Sequence, residues 1–256
     1  MYSDYHVHSC FSFDSEEKPE NIIKQAIALG MKQICFTDHQ DFHWPVSGEK
    51  PIIDFVSYNA TLEQLKTSYS DQIQVLKGIE IGLAPGNEKD IRVLLEKESF
   101  DFIIGSCHVV SGMDPYYPEY WKNKPDRKAF EEYFTATLKG LQSFSEIHTL
   151  GHLDYIIRYS PNKDANYSVL DYTDLLDEIL RFLIQHNISL EINTASFGKG
   201  FDYPHPHPDI LKRYQELGGR FVTVGSDAHS AEQIGLGFQN VEDYVRKYQL
   251  EVFHIS

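Results

Sequence analysis

The chain has 256 residues, 41% of them apolar, with a net charge of −15 from 38 acidic and 23 basic residues. That length suits one large α/β domain; no run of about 18 apolar residues is there to span a membrane, and no Lys/Arg cluster offers the basic face that nucleic acid requires. Three cysteines (Cys10, Cys35 and Cys107) are too few for a disulfide framework; with a polar strand where a secretory leader would stand, they point to a reducing cytoplasm.

The chain opens on "DYHVHSCFSFD". In an extended strand residues two apart share a face, so His6 and His8 point one way and Tyr5 and Val7 the other. The first helical pattern is "KPENIIKQAIALG", with Pro19 near the first turn, Ile22, Ile23, Ala26 and Ile27 on one face, and Gly30 as a stop. From there apolar β-rich runs alternate with amphipathic ones. Strands are predicted at about 3–8, 33–38, 73–80, 101–107, 147–152, 188–193 and 220–226. The remaining helices are predicted at about 54–70, 89–98, 127–144, 169–187, 207–217 and 240–249. Residues 111–126, "SGMDPYYPEYWKNKPD", read as a long aromatic loop after the fourth strand, where loops border active sites. Seven βα alternations without a linker predict a single α/β domain over 1–256, a parallel sheet closed as a distorted (β/α)7 TIM-like barrel.

In such a barrel the strand ends share one rim, and that rim carries the chemistry. Here the ends read "HVH" (His6, His8), "TDH" (His39), "GIE" (Glu80), "GSCH" (His108), "GHLD" (His152, Asp154), "EIN" (Glu191, Asn193) and "GSDAH" (Asp227, His229). Six of the 12 histidines therefore fall on the rim. Imidazole and carboxylate donors suit Zn, Fe(II) or Mn(II). A carboxylate such as Glu80 can bridge two cations, and adjacent cations can hold a bridging hydroxide and clamp an in-line phosphoryl displacement. "DYPHPHPDI", with His205 and His207, reads as an extended lead into a helix rather than a metal site, and His148, His186 and His254 lie outside the rim pattern. No G-x-S-x-G, Walker A or G-x-G-x-x-G run supports a serine hydrolase, P-loop enzyme or dinucleotide binder.

"HVH", "FTDH", "GIEIG", "GSCH", "GHLDYIIRY", "EINT" and "GSDAH", in that order, resemble the PHP (polymerase and histidinol phosphatase) superfamily, and within it the histidinol-phosphate phosphatases. The resemblance implies a trinuclear centre of divalent cations: His6, His8, Glu80 and Asp227 on one metal, Asp14, His39 and His229 on a second, and Glu80, His108 and His152 on a third. Asp14 stands where many members carry a third histidine, and its harder oxygen leaves the metal open among Zn, Mn and Fe. Arg158 matches the phosphate-gripping arginine of the family. A second family arginine is replaced by "NTASFGKGF", which leaves Lys199 beside Phe197 and Gly198 as the nearby cation. His43 in "TDHQDFHWP" is a further candidate phosphate contact.

The expected activity is hydrolysis of a small phosphomonoester, L-histidinol phosphate to L-histidinol and phosphate, by attack of a metal-bridging hydroxide. Arg158 and Asp227 are then catalytic, and Asp154 or a rim histidine supplies the leaving group's proton. Three other readings are weighed. The first is a nucleotide phosphatase or nuclease on the same metals. The second is an amidohydrolase-type C–N hydrolase, whose bridging lysine is replaced here by His108. The third is a barrel without activity that serves as an interaction module, against which the full ligand set speaks. No nucleic acid or membrane partner is expected.

Overall fold

The structure is a computed structural model that describes residues Ser3–Ile255. Among the described residues eight strands and eight α-helices follow one another. They run α1 (Pro19–Ala28), β1 (Gln33–Phe36), β2 (His39–Gln40), α2 (Phe55–Ser68), β3 (Gln74–Gly82), α3 (Glu88–Lys97), β4 (Phe102–Ser106), α4 (Pro118–Trp121), α5 (Asp126–Ser143), β5 (Thr149–Leu150), α6 (Thr173–His186), β6 (Ser189–Asn193), α7 (Pro208–Glu216), β7 (Phe221–Gly225), α8 (Phe238–Lys247) and β8 (Glu251–Val252). They alternate except at β1–β2 and α4–α5. Local chemistry explains the boundaries. Pro19 opens α1, whose buried face is Ile22, Ile23 and Ala26. Asp54 caps α2 by accepting from the Val56 and Ser57 amides. Asn187 closes α6 in the left-handed conformation that Asn tolerates.

All strand pairs are parallel, in the order β1-β3-β4-β5-β6-β7-β8, with β2 also on β3. The N-terminal segment bridges β1 and β7. Cys35 N donates to Asp4 O and Thr37 N to Val7 O on one side; Tyr5 N donates to Val224 O and His8 N to Ala228 O on the other. This is the α/β TIM-like barrel that the βα alternation predicts, as a single domain, with two-residue strands β2 and β8 that the sequence did not announce.

Between sheet and helices lies the main core, including Val75, Ile79 and Ile81 of β3 against Ile22, Tyr58 and Leu62. Each such side chain, fully buried, contributes about 1.5–3 kcal/mol. The alternate residues of β3 face inward. Leu76, with Phe102 and Ile104 of β4, Cys35 and Tyr5, makes a small apolar cluster upstream of the polar rim. Tyr5 is a correction: it packs on Phe102 (ring centroids 5.4 Å apart) rather than sharing a face with Val7. The strict two-residue alternation fails because the segment pairs through the isolated bridges Asp4–Ile34 and Val7–Ala228, not as a regular strand. A second correction concerns 111–126. Helix α4 interrupts that loop and buries Tyr120 and Trp121 in the core, leaving only its first half for the rim.

Candidate metal centre and substrate cleft

Glu80 sits at the middle of the rim, completely buried on β3 opposite His39 of β2. Five imidazole nitrogens surround its two oxygens. His6 Nε2, His108 Nε2 and His152 Nε2 lie 3.3, 3.2 and 3.0 Å from Oε1, while His8 Nε2 and His39 Nδ1 lie 3.5 and 3.0 Å from Oε2. Asp227 adds Oδ1 at 3.4 Å from His8 Nε2 and 3.7 Å from His6 Nε2. Asp14 closes the outer side, 3.1 Å from His229 Nε2 and 3.6 Å from His39 Nε2. All nine residues expected as ligands are thus brought together, from seven places in the chain.

The arrangement fits divalent cations. His6 Nε2, His8 Nε2, His39 Nδ1 and Glu80 Oε2 are buried without a hydrogen-bond partner, a costly state for polar atoms in a protein interior. Separations of 3.0–3.7 Å between donors match the edge of about 3.3 Å of a tetrahedron with metal–nitrogen bonds near 2.05 Å. Four triads have ligand atoms mutually within 4.8 Å: His6–His8–Glu80, Glu80–His108–His152, His8–His39–His229 and His39–Asp41–His108.

The outer nitrogens of three of these histidines are held. His6 Nδ1 is 2.7 Å from Glu191 Oε1, His108 Nδ1 is 2.8 Å from Asp41 Oδ1, and His8 Nδ1 is 3.1 Å from Ser12 Oγ. With its outer nitrogen bonded to a carboxylate, an imidazole presents its other lone pair inward in a fixed orientation. Glu191 also accepts from the His152 amide (2.8 Å) and Asn193 Nδ2 (3.1 Å). Neither Asp41 nor Glu191 was assigned a role from the sequence. Glycine makes room for each: a Cβ on Gly82 would overlap Asp41 Oδ1, and one on Gly225 would run into His6 and Glu191.

Electrostatics follow from this packing. Burial disfavours charge on His6, but Glu191, Glu80 and Asp227 outweigh it and raise its pKa well above the usual value. Burial and the neighbouring His229 and His39 push His8 down to about 3, so it is a neutral donor. Burial opposes the ionised forms of Glu80 and Asp227 too, yet the surrounding imidazoles, and Arg158 for Asp227, hold both well below the carboxylate range. Asp227 has a positive φ of 52°, a conformation that Asp tolerates. The backbone turns there, immediately before Ala228 accepts from His8 N.

A cleft of about 580 Å³ opens over the cluster. Its lining combines His39, His108, His152, Asp227 and His229 with Arg158, Lys199, Asp114, Glu49 and the rings of Phe13, Tyr116, Tyr117, Tyr155 and Tyr159. Arg158, on the 3-10 turn Tyr155–Tyr159, donates to Asp227 Oδ2 at 3.3 Å and lies 5.1 Å from the centroids of Tyr155 and Tyr159. Its Nε is buried without a partner.

Two expected contacts do not reach this cleft. His43 is exposed, turned away by a positive φ of 55°, 2.9 Å from Asp90, and it borders a separate groove. Asp154 is fully buried with both oxygens engaged, Oδ1 by His205 Nδ1 at 2.7 Å and Oδ2 by the His207 amide at 2.8 Å. It anchors the segment before α7 rather than facing the cleft, because β5 ends at Leu150 and the chain enters a 3-10 turn, breaking the His152/Asp154 alternation.

Residues 4–195 match the PHP domain family model. The chain is 37% identical over 243 residues to a Clostridium acetobutylicum protein named "Probable histidinol-phosphatase", with 94% of this chain and 91% of that one covered. It is 34% identical over 248 residues to the histidinol-phosphatase of Lactococcus lactis subsp. lactis, with 95% and 90% covered. Its structure is similar to the crystal structure of the histidinol phosphate phosphatase of Lactococcus lactis subsp. lactis complexed with Zn, L-histidinol and phosphate. The TM-score is 0.91 and the identity 33%, over 98% of this chain and 95% of that one. The buried His/Asp/Glu rim, the barrel and these relatives together place the chain in the PHP domain family, in the group of the histidinol-phosphatases.

Proposed function

We propose that this chain hydrolyses L-histidinol phosphate to L-histidinol and phosphate with three divalent cations. His6, His8, Glu80 and Asp227 hold the first, Asp14, His39 and His229 the second, and Glu80, His108 and His152 the third. The observation that carries this reading is the set of five imidazole nitrogens within 3.5 Å of one buried carboxylate, beneath a cleft that also presents Arg158 and Lys199. The relatives named above supply the substrate. When bound, the cations supply Lewis acidity toward the phosphoryl oxygens and lower the pKa of water.

The chain's own residues do the rest. Arg158 grips non-bridging phosphoryl oxygens through its fork of N–H donors; its contacts with Asp227 and two tyrosine rings hold the guanidinium beforehand, so little ordering entropy opposes the contact. Lys199, on the turn Ala195–Lys199, brings a second cation to the cleft. Glu191 and Asp41 keep His6 and His108 oriented.

Among the described residues no helix is long and apolar enough to cross a membrane, and the three cysteines are unpaired; we place the protein in the cytoplasm. Its acidic balance suits a small substrate rather than nucleic acid.

Phosphate release across L-histidinol phosphate, an aryl phosphate, mononucleotides, a nucleoside 3′,5′-bisphosphate and short single-stranded DNA tests the reading. A kcat/KM for L-histidinol phosphate above about 10⁴ M⁻¹s⁻¹, and far above the rest, is expected. A nucleotide or nucleic acid as the best substrate overturns it.

A further inference from the structure

Asp38, immediately before the ligand His39, is a completely buried carboxylate with which no lysine or arginine forms a salt bridge among the described residues. A charge in such a place is costly unless hydrogen bonds compensate it. The compensation comes from the turn that follows His8. Ser9 N donates to Oδ1 at 2.6 Å, Ser9 Oγ lies 3.1 and 3.0 Å from Oδ1 and Oδ2, and Ser12 Oγ donates to Oδ1 at 2.9 Å. Ser12, itself buried, has two further neighbours, and both belong to metal ligands. The His39 amide donates to its Oγ at 3.0 Å, and His8 Nδ1 lies 3.1 Å from the same oxygen.

A hydroxyl has one proton and two lone pairs. Ser12 gives its proton to Asp38, one lone pair receives the His39 N–H, and the other can only accept, from His8 Nδ1. A histidine that binds a metal is neutral and has a single ring proton. That proton is thereby placed on Nδ1, and Nε2 turns a bare lone pair toward Glu80 Oε2 and Asp227 Oδ1, 3.5 and 3.4 Å away. We propose that Asp38 is a positioning residue that sets the tautomer of His8 through Ser12, a carboxylate–hydroxyl–imidazole relay. It does at His8 what Glu191 and Asp41 do directly at His6 and His108. The relay deepens the function proposed above and rests on its assignment of His8 as a metal ligand. Without Asp38 the Ser12 hydroxyl is free to donate to Nδ1, and the ring proton then sits on Nε2, where it competes with the cation.

The experiment uses the full chain with Ser12→Ala, Asp38→Asn and the double variant, and His8→Ala as the reference. Competition with a chelator follows the equivalent of zinc that His8→Ala removes. Ser12→Ala is expected to weaken that equivalent by about 10–100-fold, the range for an outer partner of a ligating histidine. Asp38→Asn keeps the shape and loses the charge. It is expected to weaken the same equivalent by about threefold or more when Ser12 is present, and to change nothing once Ser12 is alanine, because Asp38 acts through the hydroxyl. ¹⁵N NMR of labelled histidine in the metal-free chain reads the tautomer directly. The signal missing from His8→Ala is expected in the Nδ1–H form in the wild type and shifted toward the Nε2–H form in Ser12→Ala. Wild-type zinc affinity in Ser12→Ala or in Asp38→Asn, an equal loss from Asp38→Asn in both backgrounds, or one tautomer shared by wild type and Ser12→Ala overturns the proposal. If the asparagine variant does not fold, the affinity and tautomer of Ser12→Ala, which lacks only one hydroxyl, decide. The two readings fail separately. A His8→Ala chain that keeps every equivalent of zinc overturns His8 as a ligand, whereas loss in His8→Ala with wild-type affinity in Ser12→Ala overturns the relay alone.

Discussion

Glu191→Gln isolates the carboxylate behind the metal ligands. Both Glu191 oxygens are occupied: Oε1 faces His6 Nδ1 at 2.7 Å, and Oε2 accepts from the His152 amide at 2.8 Å and Asn193 Nδ2 at 3.1 Å. Glutamine keeps one oxygen and turns an amide NH2 toward a donor, so either His6 Nδ1–H or the His152 N–H loses its acceptor in a buried place. An unsatisfied buried donor costs about 1–3 kcal/mol, and hydrogen bonds to a charged acceptor contribute about 1.5–3 kcal/mol. A loss near 3 kcal/mol in the metal-free protein is expected, which for a domain of this size lowers Tm by roughly 6–12 °C. Loss of the outer-shell carboxylate also weakens metal binding by about 10–100-fold. The assay is competition between the chain and a chelator of known affinity, with calorimetric melting of the metal-free protein beside it. A folded Glu191→Gln variant that binds metal within threefold of wild type refutes the reasoning, because His6 would then owe nothing to its partner.

Gly82→Ala places a Cβ onto Asp41 Oδ1 and forces that side chain off His108; metal affinity is expected to fall about tenfold or more with a stability loss of about 1–3 kcal/mol, measured by the same chelator competition and by denaturant titration. Arg158→Ala should lower kcat/KM on every phosphomonoester by about 10²–10³-fold, with Arg158→Lys recovering little, since a point charge does not reproduce a fork held over two rings; near wild-type rates would refute its role. Asp154→Asn should lower Tm by loosening His205 and the His207 amide while bound metal per chain stays the same; metal loss on elemental analysis would contradict the placement.

The rim histidines, Glu80 and Asp227 were legible because apolar runs precede them and parallel strands deliver their ends to one rim; Asp14 and the grouping on three metals came only with the family resemblance. The longer helices were plain as well, α1 with Pro19 at its start, but the short α4 inside the aromatic segment was not. The rest depended on tertiary partners. Asp41 lies two residues after His39, and Glu191 stands at a strand end, but what each does is set by His108 and His6, far away in the chain. His43 and Asp154 misled by proximity to motifs: a left-handed turn carries the first outward, and a 3-10 turn redirects the second. Tyr120 and Trp121 read as rim aromatics until α4 turned them into the core.

The central claim is that a three-cation cluster on these nine side chains performs phosphomonoester hydrolysis. The most direct measurement strips the chain with a chelator, removes the chelator, and titrates a single divalent metal back while following phosphate release from L-histidinol phosphate. The account predicts no turnover without metal and a rise that levels at three equivalents per chain. Turnover by the stripped chain, or a plateau at one equivalent, would contradict it.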